Sequence, residues 1–279
     1  MQAGAPSRTA QAAAFHRAAH QVLEQGRIFT DPLALRILGR DAAGIAGEAG
    51  EHASGRRMRT FIAVRTRFAE DALAAAYERG VRQLVVLGAG LDTYAYRGAL
   101  RDRLRIWEVD HPATQAWKRE RLAAADIALP SALAFAPVDF ERETLADGLA
   151  VAGFDAREPA FFTWLGVVPY LTEEAVWRTL GFIASLPHGA HVVFDYADPP
   201  ESRPPEMRVE HERRAARVAE AGEAFRSYFE SEKLRAQLME RGFREVEDLG
   251  PPQMAARYFP SRAAAMPEKG GHVVRGSTV

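Results

Sequence analysis

The sequence predicts an α/β fold, a mostly parallel sheet with helices on both faces, and three features of the chain predict it. From residue 8 to about 80, apolar residues recur at helical spacing with no strand candidate among them. Short β-rich runs then alternate with stretches long enough for helices, the rhythm of a parallel sheet. After the fifth run a proline-rich and highly charged segment, about 197–240, interrupts that rhythm before two last strand candidates. The expected organisation is a helical N-terminal cap over 1–80 and an α/β core over 81–279, with a helical lid insertion at about 197–240 and a seven-stranded sheet.

In chain order, Thr30-Asp31-Pro32 before LALRIL reads as a helix start, with a side-chain oxygen for the free amides and proline in the first turn. Gly44 to Gly55 is small and loose and predicts a loop. Phe61, Val64, Phe68, Leu73 and Ala76 predict a long amphipathic helix over 56–79, ended by Gly80. The strand candidates are QLVVLG (83–88), LRIWEVD (104–110), LAFAPVD (133–139), AFFTWLG (160–166) and AHVVFDY (190–196). WKRERLAAADI and TEEAVWRTLGFIASL are helix candidates between them. FREVEDLG (243–250) and HVVRGST (272–278) supply the last two strands.

Composition narrows the function classes. Hydrophobic residues at 47% and charged residues at 26% are those of a globular chain. With 36 basic and 37 acidic residues the net charge is −1, which gives no electrostatic case for nucleic acid or an anionic membrane. Only Lys118, Lys233 and Lys269 are lysines, so the many arginines reflect compositional bias. The chain has no cysteine, which excludes disulfides, thiol catalysis and cysteine-ligated metals. No apolar run reaches the length of a membrane span, and the first twenty residues hold no apolar leader core, so a cytoplasmic location is expected.

The strongest chemical signal is QLVVLGAGLDTYAYR (83–97) followed by IWEVDHP (106–112). A strand runs into Gly88-Ala89-Gly90, where missing β-carbons let a ligand approach the backbone. Glu108 and Asp110 close the next strand, which sets a carboxylate beside the glycine turn, able to take both hydroxyls of a ribose. A dinucleotide fold places a third glycine where Thr93 stands, so that the helix N-terminus faces a pyrophosphate. Asp92, near that helix start, would repel a phosphate and attract a cation. S-adenosylmethionine has no phosphate and carries an ammonium and a sulfonium, so the charges favour it over NAD.

These residues resemble the leucine carboxyl methyltransferase family, closest to its bacterial branch of O-methyltransferases. LGAGLDTYAYR and EVDHP are similar to its S-adenosylmethionine signature. SRTAQAAAFHRA, TDPLA and AVRTRFAEDAL are similar to its upstream segments; WLGVVPYLTEEAV, FRSYFESEKLRAQLMERGFREVEDLG and ARYFPSR to its downstream ones. The resemblance implies a class I methyltransferase, Rossmann-like, using S-adenosylmethionine. It implies that Gly88, Ala89 and Gly90 flank the methionine part and that Asp110 holds the ribose with Glu108 beside it. It further implies that Asp139 and Phe140 face the adenine and that Arg65 reaches the cofactor carboxylate. One position departs: the family glutamate five residues before the tyrosine of the fourth-strand motif is Leu165 here, so one cofactor contact is missing or replaced.

The resemblance implies methyl transfer to oxygen, a hydroxyl or carboxylate of a small-molecule acceptor, in secondary metabolism. Tyr170 and Tyr258 are the catalytic candidates, with Tyr94, Tyr96 and Arg257 further possible acceptor contacts. His16, His20 and His111 are candidate bases, although a carboxylate acceptor needs none at neutral pH. No metal is expected: Asp195 and Asp198 show no repeated ligand spacing. The competing readings are a nicotinamide-dependent oxidoreductase and a cofactor-binding homologue without turnover. A monomer or homodimer is expected. The cap and the insertion are expected to cover the cofactor edge, with Phe225, Tyr228 and Phe229 walling the acceptor pocket.

Overall fold

The computed structural model describes residues 7–50, 53–140, 142–220 and 222–279. Its cap begins with α1 (Arg8–Leu23), where Ser7 accepts from the amide of Ala10. Next come α2 (Ala34–Leu38), α3 (Ala42–Ala49) and the long α4 (Ala53–Glu78). The loop expected over 44–55 is in part this third helix. Asp41 caps it by accepting from Gly44 N at 2.7 Å, and Ile45 is buried in a cluster with Ala18 and Ala19 of α1 and Ala34. Small residues that read as loose are small because these helices pack closely. The helix after Thr30-Asp31-Pro32 starts only at Ala34; Asp31 accepts from Leu33 N at 3.0 Å in the preceding turn.

The core follows as β1 (Gln83–Leu87), α5 (Tyr94–Arg97), β2 (Arg105–Asp110), α6 (Pro112–Ala124), β3 (Leu133–Pro137), α7 (Leu145–Val151), β4 (Ala160–Trp164), α8 (Glu173–Ala184) and β5 (Ala190–Ala197). Then come α9 (Pro205–Glu220), α10 (Ser231–Glu240), β6 (Glu245–Leu249), α11 (Pro251–Tyr258) and β7 (Gly271–Ser277). The seven strands form one sheet in the order β3-β2-β1-β4-β5-β7-β6. β1 to β5 are mutually parallel, and β7 runs antiparallel between β5 and β6. Period-two alternation divides the core. Leu84, Val86, Phe161 and Val193 pack with Phe68 and Leu73 of α4, while Val85, Leu87, Phe162 and Phe194 pack with residues of α7, α8 and α10. Both faces are covered, which is why the strands read as unbroken apolar runs.

Two local outcomes differ from the sequence expectation. The helix expected to open at Asp92 is the single turn α5, and Asp92 accepts from Tyr94 N at 2.7 Å ahead of it. The 197–240 segment divides: α10 buries Leu234 and Leu238 in the core as an ordinary crossover helix to β6, so the added element is about 198–230, with α9 as its helix. Strand order reverses between β1 and β4, and in open α/β sheets the crevice for ligands lies there, beyond the carboxyl ends of the strands.

Candidate functional site at the carboxyl edge of the sheet

The turn after β1 takes left-handed backbone at Gly88 (φ +62°) and Gly90 (φ +43°), which favours residues without a β-carbon. A β-carbon at Gly88 would overlap Val167, and one at Gly90 would lie 2.9 Å from the Cβ of Ala10 in α1. The turn is stitched to β2: Ala89 N donates to Val109 O at 3.1 Å, and Gly90 N donates to Asp110 Oδ2 at 2.5 Å. The other oxygen of Asp110 accepts from His111 N at 2.7 Å. Burial raises the Asp110 pKa above the ordinary carboxylate value, against the pull of those two amides.

Glu108, two residues earlier, lies on the same face of β2 but is enclosed behind the turn. It is buried, paired with Lys118 Nζ at 2.7 Å and accepts from Tyr96 Oη at 3.1 Å. Its pKa is raised by burial in spite of the lysine. Asp92 is half-buried; burial opposes its charge, yet Arg17, Lys118 and Arg97 together hold its pKa below the ordinary value.

The cap docks onto this turn through one buried carboxylate. Asp31 accepts from Thr93 Oγ1 at 2.6 Å and lies 3.5 Å from Arg17 Nε and 3.4 Å from Arg97 Nε. Arg17 also donates to the carbonyl of Leu91. TDPLA and LGAGLDT, far apart in the chain, thus meet in one hydrogen-bonded hub. Arg97 continues the network to Glu70 of α4 at 2.5 Å.

At the other side of the crevice, Arg65 of α4 reaches the ends of β4 and β5. Its Nη1 donates to Asp195 Oδ2 at 2.8 Å, and Asp195 Oδ1 accepts from Gly166 N at 2.5 Å. Arg65 Nε is buried and makes no hydrogen bond. Between this group and the glycine turn lies a small cavity lined by Thr66, Glu70, Asp92, Tyr94, Thr163 and Leu165, among others.

Asp139 and Phe140 follow β3. Asp139 N donates to Glu143 Oε2 at 2.7 Å, and Phe140 lines a separate depression with Arg178 and Phe182. The structure thus gathers Gly88, Ala89, Gly90, Asp92 and Asp110 at one turn, and sets Arg65 and Tyr170 on the β4 side of it.

Aromatic residues of the 198–230 segment form a ladder over that side. Tyr170 stacks on Phe225 (5.2 Å between centroids), and Phe225 stacks on His211 of α9 (5.4 Å). Arg214 lies over the Phe225 ring at 5.2 Å, and His211 is hydrogen-bonded to Tyr228 at 2.8 Å. Phe229 instead turns into the core against Tyr196 and Trp177. Burial raises the Tyr170 pKa; burial, with Arg214, Arg59 and Arg65 adding to it, lowers that of His16 to about 4. Tyr258 sits apart, its neighbours being Asp71, Arg257 and Arg67. His111 caps α6 by accepting from Ala113 N at 3.2 Å, and His20 lies 3.4 Å from Glu24.

The electrostatic balance of the turn is informative. Asp31 is matched by Arg17 and Arg97, Glu70 by Arg97, and Glu108 by Lys118. Among the described residues, Asp92 and Asp110 have no cationic side chain within ion-pair distance. Such a turn suits a ligand with positive charge and hydroxyls and disfavours a pyrophosphate.

The profile of the family described as leucine carboxyl methyltransferase matches residues 10–184 of the 279. This chain belongs to that family. A Bacillus subtilis relative, YktD, which carries the provisional name of an S-adenosyl-L-methionine-dependent methyltransferase, is 36% identical over 187 residues, covering 66% of this chain and 60% of its own. A similarly named protein of Parafrankia sp. is 36% identical over 189 residues, covering 64% and 59%. The chain spans about 60% of the length of these relatives. Among solved structures, a protein of Thermobifida fusca YX described provisionally as a methyltransferase superposes with a TM-score of 0.60 at 17% identity, covering 99% of this chain and 96% of its own. A duf574 family protein of Streptomyces avermitilis gives 0.54 at 17% identity, covering 94% and 95%. At that identity these two establish the fold.

The leucine carboxyl methyltransferase match spans α1 to α8, so it includes Arg65, the glycine turn, Asp110, Asp139, Phe140 and Tyr170, and leaves α9 and Tyr258 outside. Sequence reading missed three contributors. Lys118 was a lone lysine in a helix; the signal was its rarity, since Arg supplies nearly all other cations. Asp31 read as a cap and is the hub of the cap–turn interface. Asp195 read as one of a carboxylate pair and is the partner of Arg65.

Proposed function

We propose that this protein is an S-adenosylmethionine-dependent methyltransferase that methylates an oxygen of a small molecule. The observation that carries the reading is the glycine turn at the β1/β4 crevice, closed onto Asp110 and bordered by Asp92, neither of which has a cationic side chain within ion-pair distance among the described residues. The site fits the cofactor by its chemistry: β-carbon-free backbone at Gly88 and Gly90, and acceptor oxygens on Asp110 for hydroxyls. A dinucleotide would bring phosphates to Asp92, so the oxidoreductase alternative is disfavoured.

In this reading Gly88, Ala89 and Gly90 let the amino-acid part approach, Asp110 takes the ribose, and Asp139 and Phe140 border the adenine. Arg65 supports the carboxylate end while keeping its bond to Asp195. When bound, S-adenosylmethionine supplies an activated methyl on sulfur. The chain's own task is to align the acceptor oxygen with it and exclude water, and such positioning is worth roughly 7–11 kcal/mol of a barrier. His16 is held neutral, and the arginines that lower its pKa also disfavour its taking a proton. The Tyr170 hydroxyl stays protonated at neutral pH. The pKa of His211 of α9 is likewise lowered to about 4 by burial with Arg203 and Arg214, so none of these three groups is a ready proton acceptor, which favours an acceptor that arrives ionised, a carboxylate or an acidic phenol.

Transfer of labelled methyl from S-adenosylmethionine to a panel of hydroxyl, phenol and carboxylate compounds tests the reading. Label is expected on an acidic oxygen, with S-adenosylhomocysteine raising the melting temperature and NAD leaving it unchanged. Stabilisation by NAD alone would reverse the assignment.

A further inference from the structure

The departure at Leu165 and the cavity beside it point to one residue. Leu165, where the fourth strand meets the crevice, faces the same small space as Asp92 of the glycine turn. Thr163 is partly accessible in an otherwise buried strand because it too borders that space. An apolar side chain at 165 leaves this wall without charge. Asp92, which lines the same cavity, supplies one, with Oδ1 engaged by Tyr94 N and no cation within ion-pair distance among the described residues. Glu70 also borders the cavity, but its carboxylate is committed to Arg97.

We propose that Asp92 is the counter-charge for the cofactor's ammonium, doing from the glycine turn what no carboxylate at position 165 can do in this chain. The assignment rests on the S-adenosylmethionine reading. The arginines and the lysine around Asp92 keep it ionised without neutralising it by contact, so an ammonium finds a formed charge rather than one it must create. The same residue closes an Asx turn just ahead of α5, a role that asparagine can fill without charge.

Calorimetric titration tests it with Asp92→Asn, Leu165→Glu and the double variant. The ligands are S-adenosylhomocysteine and its analogue lacking the α-amino group. Asp92→Asn is expected to weaken S-adenosylhomocysteine by about 10- to 100-fold, the range for a hydrogen bond to a charged group, and to leave the desamino analogue within about twofold. Adding Leu165→Glu, which restores a carboxylate to the same cavity, should recover most of the loss. If Asp92→Asn weakens both ligands equally, or neither, Asp92 only shapes the turn and the proposal is wrong. If the wild-type protein binds neither S-adenosylhomocysteine nor S-adenosylmethionine, the cofactor reading fails and the assignment falls with it.

Discussion

The floor of the site and its lid are held by different physics. The floor is short-range in the sheet: the φ > 0 glycine turn is fixed to the neighbouring strand by Ala89 N to the carbonyl of Val109 and Gly90 N to the Asp110 carboxylate. The lid is assembled by side chains from distant parts of the chain. Glu223 accepts from Arg8 N at 2.9 Å, Thr9 N at 3.1 Å and Ser7 Oγ at 3.1 Å, so a carboxylate of the insertion seats on the N-terminus of α1. Two helices away, Arg57 of α4 pairs with Glu210 of α9. Under the proposed function the floor would set which cofactor can enter, and the segment over it when that cofactor leaves.

The join between the two carries the largest expected effect. Asp31→Ala strands Arg17 and Arg97 beside a buried gap and should cost about 3–5 kcal/mol in denaturant unfolding. A loss below about 1 kcal/mol would show that the cap docks by apolar packing alone.

A second charged hub, far from the glycine turn, separates stability from binding. His272 of β7 is buried between Asp198 and Asp248, each at 2.9 Å, and stacks on Tyr196. Burial opposes its charge, but the two carboxylates win and raise its pKa from 6.5 to about 9. Because the folded value is the higher one, the stabilisation is complete below about pH 6.5 and is lost as pH rises through 9. It amounts to about 3 kcal/mol. Melting curves of the wild type should fall across that window, and His272→Gln should be less stable at pH 6 and flatter with pH. Cofactor affinity should not change; if it does, the sheet edge and the crevice are coupled.

The seat of Glu223 on α1 is expected to matter less for stability than for rate. Glu223→Gln removes a charge at a helix N-terminus, worth about 0.5–1 kcal/mol, and should speed S-adenosylhomocysteine dissociation severalfold in stopped flow. An unchanged dissociation rate would mean that α1 does not gate the crevice, despite Ala10 lying against Gly90. Glu210→Gln breaks an exposed pair and is expected to change stability by less than about 0.5 kcal/mol.

The same contrast explains what could be read in the sequence. The strands, the glycine turn and the β2 carboxylate are local patterns with a period or a fixed spacing, and the sheet places all of them where that spacing implies. The α3 helix was hidden because its alanines and glycines carry no amphipathic stripe; only close packing on α1 gives it one face. Glu108 shared the motif and the strand face of Asp110 but not its environment: Asp110 ends the strand beside the glycine turn, while Glu108, one pleat back, is closed in by Lys118 of α6 and Tyr96. Phe229 looked like its neighbour Phe225, yet one lies in the core and the other in the ring ladder. Contacts such as Glu223 with Arg8 and Thr9 join residues more than 200 positions apart, and no periodicity records them.

Under the proposed function the glycine turn and Asp110 hold S-adenosylmethionine at the carboxyl edge of the sheet. Calorimetric titration of Asp110→Ala against the wild type tests it most directly. In a variant that still unfolds cooperatively, affinity for S-adenosylmethionine should fall by about 1.5–3 kcal/mol, as expected for lost hydrogen bonds to a charged group. Unchanged affinity in that variant would contradict the account and place the cofactor elsewhere.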